Sequence, residues 1–166
     1  MIEFRNIKKN FGDKLVLNDV SHVMENGKAN LIIGTSGSGK TVLQKCLVGL
    51  FEPDAGEIIY DGMSFTHMDE DHRKMLRQQI GMLFQGSALF DSMTVEENVR
   101  FPLDMFTKDK NPVKLKRVNE VLERVNLSGS NKKYPSEISG GMKKRVGIAR
   151  AIVLNPKYLF CDEPNS

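Results

Sequence analysis

Apolar and polar residues alternate from Ile2 to Ile7 and again from Lys14 to Ser21, the two-residue period of half-buried strands. The turn residues Asn10-Phe11-Gly12-Asp13 lie between them, so the opening stretch predicts an antiparallel hairpin at a sheet edge. Asn26-Gly27 marks the next turn. Ala29 to Ile33 is then a short apolar run ending on Gly34, the pattern of a buried strand that feeds a loop. After Lys40 the period changes: Val42, Leu43, Cys46, Leu47 and Leu50 recur at helical spacing until Glu52-Pro53-Asp54-Ala55-Gly56, which should end the helix. Glu57 to Tyr60 reads as a strand closed by Asp61-Gly62, Asp69 to Gln79 as a charged helix, and Ile80 to Phe84 as another strand.

From Gln85 the texture becomes helical. Met93 to Phe106, Val113 to Val125 and Gly140 to Leu154 each carry the helical period, separated by Asn111-Pro112 and by the polar loop Leu127 to Pro135. An apolar strand, Tyr158 to Cys161, follows and runs into Asp162-Glu163-Pro164. There is no internal repeat and no low-complexity segment. A strand-loop-helix beginning, a helical middle and a closing strand predict an α/β core with an inserted helical subdomain. The expected organisation is a β edge and loop-helix core over residues 1–84, a helical subdomain over 85–139, and a return to the core over 140–166.

Composition narrows the class. A chain of 166 residues with 40% hydrophobic and 27% charged content is long enough for one core with a small subdomain and is not disordered as a whole. The net charge of +3 is spread out, with clusters at Lys108 to Lys116 and Lys143 to Arg145 but no long basic block, which speaks against a nucleic-acid partner. The first residues lack a signal-peptide pattern, and no apolar run approaches the roughly 20 residues of a membrane span. A cytoplasmic protein is expected, reaching a membrane only through a partner. Cys46 and Cys161, the two cysteines, sit in apolar stretches and are expected to be reduced core residues.

The chemistry begins at Gly34-Thr35-Ser36-Gly37-Ser38-Gly39-Lys40-Thr41, which matches G-x-x-x-x-G-K-[ST]; a random chain of this length shows that pattern with a probability on the order of one in a hundred. The match follows a predicted strand and opens a predicted helix, so backbone N–H groups and the positive helix end can converge on phosphate oxygens. Lys40 would reach the β- and γ-phosphates, and Thr41 would set its hydroxyl on Mg²⁺. ATP and Mg²⁺ are the expected ligands.

The strand Leu159-Phe160-Cys161 delivers Asp162 and Glu163 to its C-terminal end, where α/β sheets bind ligands. Asp162 can join the Mg²⁺ shell, and Glu163 could polarise an attacking water, since phosphoryl transfer needs positioning and charge stabilisation. Ile138-Ser139-Gly140-Gly141-Met142 exposes small residues at a helix start, followed by Lys143-Lys144-Arg145. Such a start is either an anion site or simple capping by Ser139, and the residues alone favour capping.

Taken together and in this order, the three elements resemble the nucleotide-binding domains of ABC transporters along the whole chain, with Ile138 to Met142 matching a signature motif that usually ends in Gln. Met142 departs from it. The resemblance implies a P-loop NTPase core of the RecA-like kind with an antiparallel β edge and an inserted helical subdomain. It also implies that Phe11 stacks on adenine, and that Gln85 touches Mg²⁺ or the lytic water and senses a transmembrane partner. By the same resemblance Ser139, Gly140 and Gly141 bind the γ-phosphate held by a second copy in a head-to-tail dimer. Lys40, Gln85 and Glu163 are then the catalytic set, and Thr41, Gln85 and Asp162 the metal set.

The stretch Gly86-Ser87-Ala88-Leu89-Phe90-Asp91-Ser92-Met93-Thr94-Val95 and Met142 are similar to ATPases of the maintenance-of-lipid-asymmetry type, which implies phospholipid transport at a bacterial envelope, with the ATPase peripheral on the inner face of the cell membrane through its permease. Amino-acid importers, lipoprotein-releasing systems and ABC ATPases without a membrane partner are the alternatives. Family members continue past Glu163 through a D-loop, a further core strand and a loop with a catalytic His. The expectation is therefore a truncated chain with an incomplete core and poor turnover on its own. His22, His67 and His72 all precede that point and read as surface or turn residues.

Overall fold

The structure, a computed structural model, describes residues 1–162. It divides into two compact units, Met1–Met75 and Leu76–Ser166.

In the first unit, β1 (Ile2–Phe11) and β2 (Lys14–Met24) form the expected hairpin, longer than the alternation alone indicated, with Gly12 and Asp13 between the strands and bulges interrupting the ladder between Phe4 and Asn10. β3 (Ala55–Tyr60) pairs antiparallel with the other side of β1, and β4 (Met63–Ser64) pairs with β3, giving the order β2-β1-β3-β4. Asp61 and Gly62 both have positive φ, 49° and 84°, as a tight two-residue hairpin turn requires. Ile2, Phe4, Ile7, Ile58 and Tyr60 are buried on the sheet. Burying each of the isoleucines and Phe4 contributes about 1.5–3 kcal/mol.

The helix after Lys40, α1 (Lys40–Leu47), buries Leu43, Cys46 and Leu47. The Tyr60 hydroxyl donates to the Leu47 carbonyl oxygen at 2.9 Å and ties the helix end to β3. α1 stops before the Pro-containing stretch expected to end it. Gly49, with φ 75°, donates to the Cys46 carbonyl at 3.1 Å, and Leu50 donates to the Lys45 carbonyl at 2.8 Å. These are the two closing bonds of a Schellman cap, so the glycine ends the helix.

A second expectation fails here. None of residues 28–35 lies in a strand, and Leu31 and Ile33 are 85% and 81% exposed. An apolar run becomes a strand only where a neighbour accepts its backbone hydrogen bonds. Among the described residues, no strand pairs with Ala29 to Ile33.

The division between the units falls within α2 (Glu70–Arg77); Asp69 caps its start by accepting from the His72 backbone N–H at 2.9 Å. In the second unit, β5 (Ile80–Leu83) and β6 (Tyr158–Cys161) pair in parallel. α3 (Val95–Phe106), α4 (Asn111–Arg124) and α5 (Gly140–Ile152) share a core of Val99, Val118, Val121, Leu122 and Val146. α3 opens with a capping box: the Glu97 backbone N–H donates to Thr94 Oγ1, and Thr94 N–H donates to the Glu97 carboxylate. The predicted helices therefore all form, within a few residues of their expected ends.

The fold is α/β, as expected, with an antiparallel sheet and a helical group after Gln85. The histidines are all exposed, in line with the sequence reading. Cys46 is fully buried, and burial pushes its thiol up to about 11. Cys161 corrects the sequence expectation: it is exposed. β6 alternates, with Tyr158 and Phe160 inward and Leu159 and Cys161 outward, because successive side chains of a strand face opposite ways.

Candidate functional site

The phosphate-loop candidate, Gly34 to Thr41, turns tightly through Ser36 and Gly37, where the Ser38 N–H donates to the Thr35 carbonyl at 3.2 Å. Gly39, with φ 93°, is the N-cap of α1. A Cβ at Gly39 would stand 3.0 Å from Leu17 Cδ2 and 3.1 Å from the Val16 carbonyl oxygen, so the loop meets the helix directly against β2. Among the described residues, no side chain caps α1, and its first turn carries no acid. The positive end of the helix is thus left without an acidic residue of its own first turn.

Lys40 Nζ donates to the carbonyl oxygens of Gly34 and Thr35, 2.9 Å each. The ammonium stands across the mouth of the loop, on acceptors that a phosphate oxygen would replace by charge. Thr41 is the next residue of the helix, half-buried. Backbone donors, a helix N-terminus and one ammonium make a donor set that fits a polyphosphate.

Phe11 ends β1 and is 44% exposed, as its expected role requires of an accessible ring. It does not stand alone: its ring meets Phe51 edge-on at 5.4 Å between centroids, with Lys9 Nζ 5.6 Å above it. Phe51 was not singled out in the sequence, where it is one more apolar residue beyond a helix.

In the second unit, the structure brings two expected residues to one sheet edge. Leu83 pairs with Cys161 at the end of the β5-β6 ladder, and the Asp162 N–H donates to the Leu83 carbonyl at 2.9 Å. Gln85 and Asp162 therefore follow the C-terminal ends of adjacent parallel strands, the edge at which α/β sheets collect ligands. Gln85 is exposed, and Asp162 is buried. Among the described residues, no group of three or more His, Cys, Asp or Glu could hold a metal. A carboxylate such as that of Asp162 suits Mg²⁺, which takes few protein ligands and completes its octahedron with water and phosphate oxygens. Glu163 lies outside the described residues.

Ser139 is the N-cap of α5, its Oγ accepting from the Met142 N–H at 3.3 Å. Gly140 and Gly141 are exposed, and a Cβ on either would meet nothing within 4 Å. The capping role is thus real, and it leaves the small-residue start of the helix open.

Two further residues shape the stretch after Gln85. Asn98, fully buried on α3, donates through Nδ2 to the carbonyls of Phe90, Met93 and Thr94, and its Oδ1 accepts from the Phe90 N–H at 2.9 Å. Arg150 of α5 donates to the carbonyls of Ser87 and Ala88. The sequence signal for Asn98 was an amide on the apolar face of a helix, between Val95 and Val99; Arg150 gave none.

The family model described as "ABC transporter" matches residues 17–166. Among proteins of similar sequence is the "Probable ribonucleotide transport ATP-binding protein mkl" of Mycobacterium leprae (strain TN), 42% identical over 165 residues, 99% of this chain and 48% of that protein. The "Methionine import ATP-binding protein MetN" of Carboxydothermus hydrogenoformans is 44% identical over 169 residues, 100% of this chain and 50% of its own length. The chain spans about half the length of the curated relatives it matches. Among solved structures, the ATP-binding cassette MJ0796, as a dimer in a post-hydrolysis state bound to ADP and Pi, superposes with a TM-score of 0.90 at 30% identity, covering 99% of this chain and 75% of that one.

Proposed function

The chain belongs to the ABC transporter family, and we propose that it is the nucleotide-handling part of an ATP-hydrolysing transport subunit. The observation that supports this best is the placement of Lys40: its ammonium spans the mouth of an uncapped, glycine-opened helix start, on carbonyls it can exchange for phosphate. ATP would lay its β- and γ-phosphates along Gly34 to Thr41, with Lys40 turning to them and the adenine against Phe11. Thr41 and Asp162 would hold Mg²⁺, which supplies charge neutralisation on the phosphate oxygens. Glu163 and Gln85 would orient the attacking water. Ser139, Gly140 and Gly141 would meet the γ-phosphate of a second copy.

The cargo reading divides. Methionine import and, for the protein PotA of Chromobacterium violaceum, "Spermidine/putrescine import" are the roles named for relatives at 44% and 42% identity. They support import of a small polar solute. Phospholipid transport rests on the Gly86 to Val95 stretch and Met142 alone, and it stays as the second reading. Among the described residues no helix is long and apolar enough to cross a membrane. Membership of a transporter family supports a place at the cytoplasmic face, bound to a permease.

The test is equilibrium Mg-ATP binding and steady-state hydrolysis by the complete protein with its permease. ATP binding by wild type, retained with turnover lost in Glu163→Gln, is expected. A protein that binds no ATP refutes the assignment. Uptake assays with methionine, polyamines and labelled phospholipid in permease-containing vesicles separate the cargo readings.

A further inference from the structure

Directly after Gln85, two residues beyond β5, the chain turns through three consecutive residues with positive φ: Gly86 at 71°, Ser87 at 69° and Ala88 at 42°. Only the first is glycine. A left-handed backbone at Ser and Ala is disfavoured by crowding at Cβ and persists where surrounding groups fix it. Arg150, in the last turn of α5, is such a group. Its Nη2 donates to the Ser87 carbonyl at 2.7 Å and its Nη1 to the Ala88 carbonyl at 2.9 Å. The guanidinium also lies 5.8 Å from the Phe90 ring centroid. The fork geometry of arginine suits two adjacent carbonyls, and a charged donor strengthens both bonds.

One turn earlier on the same helix, Gly147 lets the loop come close. A Cβ there would stand 3.2 Å from Ser87 Cβ and 3.1 Å from Leu83 Cδ1. Glycine inside a helix is unfavourable, and the close approach of Ser87 accounts for it here.

We propose that Arg150 is a positioning residue for Gln85: by gripping the Ser87 and Ala88 carbonyls from the end of α5, it fixes how the chain beyond β5 presents Gln85 to the reacting groups. The proposal rests on the role given to Gln85 above. α5 begins at Gly140 and reaches Arg150 about 15 Å further on, at ~1.5 Å per residue. One rigid helix therefore joins the segment proposed to meet a second copy's nucleotide to the loop that carries Gln85. A displacement of that helix when two copies pair would be carried to Gln85 directly.

The experiment uses the complete protein. Amide hydrogen exchange at Gly86 to Leu89 is measured in wild type, Arg150→Met, Arg150→Lys and Gly147→Ala. The kcat and KM for Mg-ATP are measured in the same proteins, in Gln85→Ala, and in the Arg150→Met/Gln85→Ala double variant. In Arg150→Met these amides should exchange about tenfold faster or more, with kcat down about tenfold and KM changed by less than about twofold. Arg150→Lys should recover part of the loss, and the double variant should be no slower than Gln85→Ala alone, as residues acting through one another behave. Unchanged exchange overturns the grip. Faster exchange with unchanged kcat, or losses that multiply with those of Gln85→Ala, overturns the positioning of Gln85. If Arg150→Met does not fold, Arg150→Lys and Gly147→Ala decide by the same comparison. A wild-type protein that binds no ATP refutes the proposed function instead, and the exchange rates still decide the grip.

Discussion

Lys40 Nζ donates to the Gly34 carbonyl oxygen at 2.9 Å, so the first residue of α1 closes on the first residue of its own loop. The bond is exposed, and its energetic value to the fold is small. Its value to a ligand is larger, because the ammonium is already held within reach of any anion that enters the loop. Lys40→Ala should weaken Mg-ATP binding by about 10- to 100-fold, the equivalent of one charge-assisted hydrogen bond of roughly 1.5–3 kcal/mol. The thermal midpoint should scarcely move. Isothermal titration with a non-hydrolysable ATP analogue measures the first quantity and calorimetry the second; unchanged affinity would count against the phosphate-binding reading.

Asn98 carries the opposite balance, since it is fully buried and far from solvent. Its amide serves the Phe90 N–H and the carbonyls of Phe90, Met93 and Thr94. Asn98→Ala strands these groups and leaves a cavity, which should cost about 2–4 kcal/mol. Urea unfolding of the complete protein should show a lower midpoint for Asn98→Ala, and Asn98→Asp should be little better, because a carboxylate offers no donor to three carbonyls.

The N-terminal end of α3 should be sensitive to acid. Burial raises the Glu96 carboxyl, but the Asn131 amide and the Lys132 ammonium outweigh it and hold Glu96 below the ordinary glutamate value. Glu97 is also held low, by the Thr94 backbone and hydroxyl. A group whose folded pKa is depressed contributes stability above its unfolded pKa, and that contribution is lost as pH falls through the folded value. The loss should therefore begin below about pH 4.3, the unperturbed glutamate value. Urea midpoints at pH 7 and pH 3.5 should differ less in a Glu96→Gln/Glu97→Gln variant than in wild type.

What could be read from the chain beforehand was local. The β1-β2 hairpin, the loop-helix at Gly34 to Leu47 and the three helices α3 to α5 follow from residue spacing over a few turns, and all are present. What failed depended on partners distant in sequence. Ala29 to Ile33 is apolar enough for a buried strand, but its pairing is non-local, and Leu31 and Ile33 remain exposed. Cys161 is exposed for a different, local reason: it falls on the outward face of β6, whose side chains alternate. Arg150 sits 62 and 63 residues from the carbonyls it holds, beyond the reach of any periodicity. The end of α1 is legible in principle: Gly49 and the Pro-containing stretch from Glu52 are both stop signals, and the glycine comes first along the chain.

Ser139 offers a way to separate capping from nucleotide contact, because the two roles respond differently to charge. Its Oγ accepts from the Met142 N–H, and an aspartate at an N-cap does the same about as well. Ser139→Ala removes the cap and should cost about 1 kcal/mol of stability. Ser139→Asp should leave stability within about 0.5 kcal/mol of wild type, since the acid also favours the positive helix end. If the open start of α5 meets the γ-phosphate of a second copy, Ser139→Asp sets a carboxylate against that phosphate, and like charges brought together out of water repel strongly. ATP-dependent pairing, read by light scattering of a Glu163→Gln background that keeps ATP bound, should then disappear in Ser139→Asp while persisting in weakened form in Ser139→Ala. Pairing that survives in Ser139→Asp would leave Ser139 with its capping role alone.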